Sequence, residues 1–206
     1  VHDAGEEDGN YYIAMEYLRG RTIKQILSRE DRLTLKALVF VAAQVLRALS
    51  YAHGRKIIHR DVKSSNIMWT DDKVIKLMDF GLAKVVEEVK ASQTVASGTP
   101  YYMSPEQTLG STIDHRTDLY SLGVTVFEMA TGRLPFADGQ AAYHHVHTPA
   151  PDPRDYVKNI PESLSNLILR LMSKNPDDRY RSAEEVSGEL KKIAEEVKGS
   201  FERPEG

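Results

Sequence analysis

His59-Arg60-Asp61-Val62-Lys63-Ser64-Ser65-Asn66 is the stretch on which the reading of this chain turns, and Asp79-Phe80-Gly81 follows 18 residues after Asp61. Both are polar clusters set among short apolar, strand-like pieces. Ile57-Ile58 precedes the first, and Ile67 to Trp69 and Val74 to Leu77 separate the two, with Thr70-Asp71-Asp72 as a turn. Further on, Gly98-Thr99-Pro100 and Ser104-Pro105-Glu106 fall within a 28-residue interval, Asp79 to Glu106, that lacks periodicity and is rich in Ser, Thr, Gly and Pro. Connections that long are uncommon in a compact domain unless they carry function. One by one, Asp61 and Asp79 read as loop caps and Lys63 as a solvated charge. Their order and spacing carry the information.

Working outward, residues 1–18 read as two short strands, Val1 to Ala4 and Asn10 to Met15, around the turn Glu6-Glu7-Asp8-Gly9. From Thr22 the pattern becomes helical, with Thr22 and Thr34 as N-caps. Leu38, Val41, Val45, Leu49 and Ala52 recur at helical spacing and predict one long amphipathic helix from Thr34 to His53. Asp118 to Ala130 is so apolar that it reads as a central core helix, closed by Gly132. Pro161 to Met172 predicts another helix, stopped by Asn175-Pro176, and Ser182 to Glu185 fits a capping box opening the last one. Residues 199–206 are expected to fray.

Composition removes several classes. Lys plus Arg number 27 and Asp plus Glu 30 in 206 residues, a net charge of −3, which argues against nucleic-acid binding by bulk electrostatics and against a polybasic membrane anchor. There is no cysteine, so disulfides, thiolate catalysis and Cys-zinc sites are excluded. The longest uninterrupted apolar run, Ala37 to Ala43, is seven residues, against about 20 for a bilayer-spanning helix. No signal peptide is read ahead of the first strand, no membrane segment within the chain, and the location expected is cytoplasmic. His144, His145 and His147 invite a metal hypothesis, but no carboxylate or cysteine completes a set, and they read as solvated residues on a helix face.

The ordered motifs from His59 to Glu106 resemble the protein kinases, in particular the bacterial Ser/Thr kinases of eukaryotic-like type, over residues 10–190. The resemblance implies an α+β fold: the mainly α-helical large lobe of the protein-kinase fold, with a residual N-terminal β hairpin and short catalytic-loop strands. It divides the chain into a small-lobe remnant and hinge (1–18), the large lobe (19–198) and a tail (199–206). It implies transfer of the ATP γ-phosphate to Ser or Thr hydroxyls of protein substrates, with ATP and Mg2+ as cofactors. Asp61 then accepts the proton of the substrate hydroxyl, Lys63 contacts the γ-phosphate, and Asn66 and Asp79 supply hard oxygen ligands to magnesium. Met15-Glu16-Tyr17-Leu18 resembles the hinge, with the backbone of Glu16 and Leu18 facing adenine, Met15 as gatekeeper and Met68 under the purine. Lys63 with Thr99 matches the Ser/Thr pattern, Thr99 forming the floor of the hydroxyl site. Arg60 implies regulation by a phosphate on the long loop, with Thr94 the first candidate and Ser92 and Ser97 behind it. Glu106 and Arg179 look like a buried structural ion pair, and Asp118 like the residue that holds the catalytic-loop backbone. Ser64 stands where the family often has Pro, and Ser104 where Ala is common.

The family also uses a Gly-rich phosphate loop and a strand lysine paired with a helix glutamate. In these 206 residues the first lysine is Lys24, past the hinge, and Gly5 and Gly9 are the only glycines before residue 16. The chain by itself is therefore expected to transfer phosphate weakly or not at all. It is also expected to expose an apolar patch around Met15 and Phe80 that invites self-association or a small-lobe partner. A truncated kinase, a non-catalytic binding or regulatory module, and a split kinase needing a small lobe in trans all stay open at this point.

Overall fold

The computed structural model describes residues 2–7, 10–80 and 100–201. β1 (Asp3–Glu7) and β2 (Asn10–Ala14) form an antiparallel hairpin with Asp3 opposite Ala14 and Glu7 opposite Asn10. The first strand thus runs through Glu6 and Glu7, which sequence reading assigned to the turn. Residues 15–19 lead to β3 (Gly20–Thr22), which pairs with β4 (Ile67–Thr70), itself paired with β5 (Ile75–Leu77), in a three-stranded antiparallel sheet. Ile57-Ile58 forms no strand. Its backbone turns back onto the preceding helix, Ile57 N–H donating to the Ala52 carbonyl at 3.0 Å.

α1 (Ile23–Glu30) starts at a capping box: Thr22 Oγ1 accepts from the Gln25 amide, and the Gln25 side chain accepts from the Thr22 amide. α2 (Leu35–His53) starts where Thr34 accepts from the Ala37 amide. α2 is apolar and long enough to cross a membrane, with a mean hydropathy of 1.4 over its best window. Leu38, Val41 and Leu49 on it are nevertheless fully buried, as in the core helix of a globular domain. α3 (Pro105–Thr108) is a single turn.

α4 (Arg116–Thr131) is the centre of the molecule: every residue from Thr117 to Thr131 is buried, against α2, α6 (Glu162–Leu171) and the chain around Tyr102. It ends at Gly132 in the left-handed region, φ 73°, where a Cβ would lie 2.2 Å from the Asp31 carbonyl oxygen. Gly132→Ala is expected to cost about 1–3 kcal/mol through backbone strain alone, with the overlap added. Thermal denaturation checks this, and an unchanged midpoint would contradict it.

α5 (Ala141–His147) and α7 (Ala183–Phe201) complete the lobe. Only half of the capping box expected at α7 forms. Ser182 Oγ accepts from the Glu185 amide, but the Glu185 carboxylate takes the Arg181 amide instead of that of Ser182. Residues 199–201 continue the helix where fraying was expected.

Candidate active site

The loop from His59 to Asn66 has no regular structure up to Lys63, so its shape is set from outside. The carboxylate of Asp118, fully buried in the first turn of α4, takes three donors. Oδ1 accepts the Arg60 amide at 2.7 Å; Oδ2 accepts the His59 amide at 2.9 Å and His53 Nε2 at 2.8 Å. Val62, also fully buried, nails the loop to the core. Arg60 sits at φ 66°, a region that side chains with a Cβ rarely occupy.

A 3-10 turn over Ser64–Asn66 brings the Asn66 side chain back onto Asp61. Asn66 Nδ2 donates to the Asp61 carbonyl and to its Oδ2, each at 2.9 Å, and Lys63 Nζ lies 2.7 Å from the same Oδ2. Asp61, Lys63 and Asn66 are thus in direct contact, with Asp61 open to solvent on one side. Asp79, half-buried at φ 63°, follows Met78. The Met78 amide donates to the Asn66 carbonyl at 2.8 Å, and its carbonyl accepts from His59 Nε2 at 2.7 Å. His59 Nδ1 accepts the Asp61 amide, and the ring packs on Phe80 with centroids 4.5 Å apart.

The hinge candidates lie on the segment between β2 and β3 and on the adjoining strand. Met15, Glu16 and Tyr17 are exposed, Leu18 is half-buried, and Met68 is half-buried on β4, paired with Thr22. Lys76 on β5 holds Glu16 by an ion pair at 2.6 Å, and that hydrogen bond and charge lower the Glu16 carboxyl pKa. Met15 is 47% exposed and Phe80 36%. Thr94, Ser92, Ser97 and Thr99 lie outside the described residues.

Beneath the site, Arg179 and Glu106 form the expected ion pair, bidentate at 2.7 and 2.8 Å and buried. Both departures from the family's usual residues make bonds. Ser104 caps α3 and bonds the Thr117 hydroxyl, while Ser64 Oγ lies 3.2 Å from the Tyr102 hydroxyl. Tyr102 donates in turn to Glu128 Oε2 at 2.6 Å, and Lys24 pairs with Glu128 Oε1 at 3.0 Å. Burial, with the charge of Glu128, pushes the Tyr102 hydroxyl pKa well up, so it remains a donor.

Sequence reasoning missed this network, as it missed His53; a histidine in the last turn of a helix was the one local signal for the latter. The histidines of α5 correct an expectation. His145 is fully buried between the Tyr101 carbonyl and the Tyr120 hydroxyl, and burial, with the charges of Lys174 and His144, lowers its pKa to about 4. His144 is half-buried and bonds Asp138 and Thr148. A helix packed by one flank against residues 101–102 cannot leave all three histidines in solvent. Among the described residues no group of three His, Cys, Asp or Glu side chains is placed to hold a metal.

A family model described as protein kinase domain matches residues 1–189. The chain is 41% identical over 197 residues to the probable serine/threonine-protein kinase CPE1738 of Clostridium perfringens, covering 94% of this chain and 29% of that protein. It is 43% identical over 211 residues to the serine/threonine-protein kinase pkn3 of Myxococcus xanthus, covering 95% and 39%. It therefore spans between 29% and 39% of the length of these relatives. Among solved structures, the PknI kinase domain of Mycobacterium tuberculosis superposes with a TM-score of 0.75 at 27% identity, over 93% of this chain and 69% of that one. With a family match over nearly the whole length, the chain belongs to the protein kinase family.

Proposed function

We propose that the chain forms the substrate-side half of a Ser/Thr protein kinase, which transfers the γ-phosphate of ATP to Ser or Thr hydroxyls of proteins. The observation that carries this reading is the direct bonding of Asp61, Lys63 and Asn66 on a loop held by buried Asp118. In-line transfer needs an oriented hydroxyl, an acceptor for its proton and positive charge beside the phosphate oxygens. Asp61 is the acceptor: with Lys63 and Asn66 both on Oδ2, Oδ1 is left for the incoming hydroxyl. Lys63, a point charge on a flexible stem, exchanges its contact with Asp61 for a phosphate oxygen. Asn66 Nδ2 is engaged by Asp61, which leaves Oδ1 as an oxygen donor, and the Met78 amide on the Asn66 carbonyl ties the residue preceding Asp79 to the same turn. Two hard oxygen donors suit Mg2+, which keeps several waters and takes further ligands from phosphates. Bound there, the cation supplies neutralisation of phosphate charge.

Residues 1–18 serve as small-lobe remnant and hinge, Met15, Glu16 and Leu18 lining the adenine site with Met68, and residues 19–198 as the large lobe. Thr99 closes the hydroxyl site, and a phosphate on Thr94 pairs with Arg60 to regulate it. The compartment that fits an ATP-dependent enzyme is the cytoplasm, where ATP is supplied. The exposed Met15, Tyr17 and Phe80 support a second reading beside the first, in which this face receives a small lobe in trans or a second copy.

The test supplies the small lobe of a similar kinase, fused ahead of residue 1 or added in trans, and follows phosphate incorporation from MgATP into a protein substrate. Phosphoserine and phosphothreonine are expected with the small lobe present, negligible amounts with the 206-residue chain alone, and none in Asp61→Asn. Small-lobe binding without Asp61-dependent transfer would select the non-catalytic module.

A further inference from the structure

The geometry points to Gln107 as a positioning residue: its side-chain amide holds the Arg60–Asp61 peptide and so sets the direction in which the Asp61 carboxylate leaves the loop. The inference rests on reading Asp61 as the proton acceptor. The peptide joining these residues follows a left-handed φ of 66° at Arg60, so neighbours must hold it. Its N–H donates to His59 Nδ1 at 3.2 Å, within the same loop. Its carbonyl accepts from Gln107 Nε2 at 2.8 Å, which comes from α3, 47 residues away in sequence.

The orientation of the Gln107 amide is determined by its partners. Oε1 accepts the Ser104 amide at 3.0 Å while Nε2 faces the Arg60 carbonyl, and a flipped amide would lose both bonds. The Gln107 backbone amide donates to Ser104 Oγ at 3.2 Å, completing the capping box. A glutamate at this position of a capping box serves the helix as well as a glutamine does. Only glutamine also presents an N–H to the Arg60 carbonyl, so capping alone does not account for the residue. The neighbouring Glu106, locked to buried Arg179, fixes the helix from which Gln107 reaches. Asp61 is therefore referenced to two elements at once, to α4 through Asp118 and to α3 through Gln107.

Amide hydrogen exchange and carbonyl-carbon NMR on the 206-residue chain test this directly. Gln107→Glu keeps the cap and sets oxygen against oxygen at Arg60; Gln107→Met, a second variant, removes both bonds; Ser104→Ala weakens the cap and keeps the amide on Arg60. Exchange of the Asp61 amide is expected to accelerate roughly tenfold in both Gln107 variants, as the loss of one net hydrogen bond gives. The Arg60 carbonyl resonance should move with it, and Ser104→Ala should leave both near the parent. Asp61 exchange unchanged in the two Gln107 variants, or accelerated equally by Ser104→Ala, would overturn the assignment. The measurement needs no nucleotide, so a negative result leaves the phosphotransfer reading standing. Conversely, loss of that reading in the Asp61→Asn assay leaves the peptide contact measured.

Discussion

Arg179→Met is expected to destabilise the fold by about 3–5 kcal/mol, because it leaves the Glu106 carboxylate buried without its cation. For a domain of this size that lowers the melting temperature by roughly 6–20 °C. Arg179 also donates to the carbonyls of Ser173, Lys174 and Arg116, so Glu106→Leu combined with Arg179→Met should recover only part of the loss. The pH dependence gives a sharper check. Burial alone would raise the Glu106 pKa, but the hydrogen bonds and charge of Arg179 outweigh it, and the pKa lies below the ordinary value. A depressed folded-state pKa contributes stability that is present above the unfolded value, about 4.3, and is lost as pH falls through the folded one. In Arg179→Met the buried carboxylate prefers to be protonated, so acidification should relieve part of the destabilisation where it costs the parent stability. Denaturant titrations at several pH values read the two slopes. Parallel slopes would show that the ion pair is energetically idle.

The helices were legible because their signals are local. Thr22 and Thr34 cap where a hydroxyl precedes a periodic run, and Gly132 stops α4 because the left-handed turn there suits only glycine. The loop motifs announced that Asp61, Lys63 and Asn66 belong together, since a short 3-10 turn is enough to fold Asn66 back. Asp118 was read ahead as the holder of the loop backbone, and it does hold it; the rest of the supporting network was less visible. Lys24 and Glu128 are separated by 104 residues, Tyr102 and Glu128 by 26, and no periodicity or cap connects them. Gln107 was hidden behind its own capping role, and His53 behind its place at a helix end. Buried polar networks form wherever several elements leave groups that must be satisfied, and that requirement exists only once the elements have packed. Ile57-Ile58 failed as a strand for a related reason: an apolar pair has strand propensity, but the chain there is committed to the closing turn of α2.

Asp118→Ala is the second substitution with a large expected effect, and it separates loop shape from global packing. The Arg60 amide, the His59 amide and His53 Nε2 all donate to one carboxylate that has no solvent exposure. Each buried donor left without an acceptor costs about 1–3 kcal/mol, so the alanine variant should lose about 3–5 kcal/mol after some relaxation. Asp118→Asn keeps the shape and one strong acceptor, and is expected to cost less than half as much. His53 has its other ring nitrogen, Nδ1, buried without a partner. Its one side-chain hydrogen bond among the described residues is to Asp118, beside a ring contact with His115 at 5.3 Å, and His53→Phe should cost far less than Asp118→Ala because it removes the donor together with its need. Thermal melts rank the three variants, and amide exchange at His59 and Arg60 shows whether the loop opens locally before the domain unfolds. If Asp118→Ala melts like the parent, the loop must be held by Val62 and Gln107 instead. If it melts low while His59 and Arg60 stay as protected as the core, the carboxylate serves α4 and not the loop.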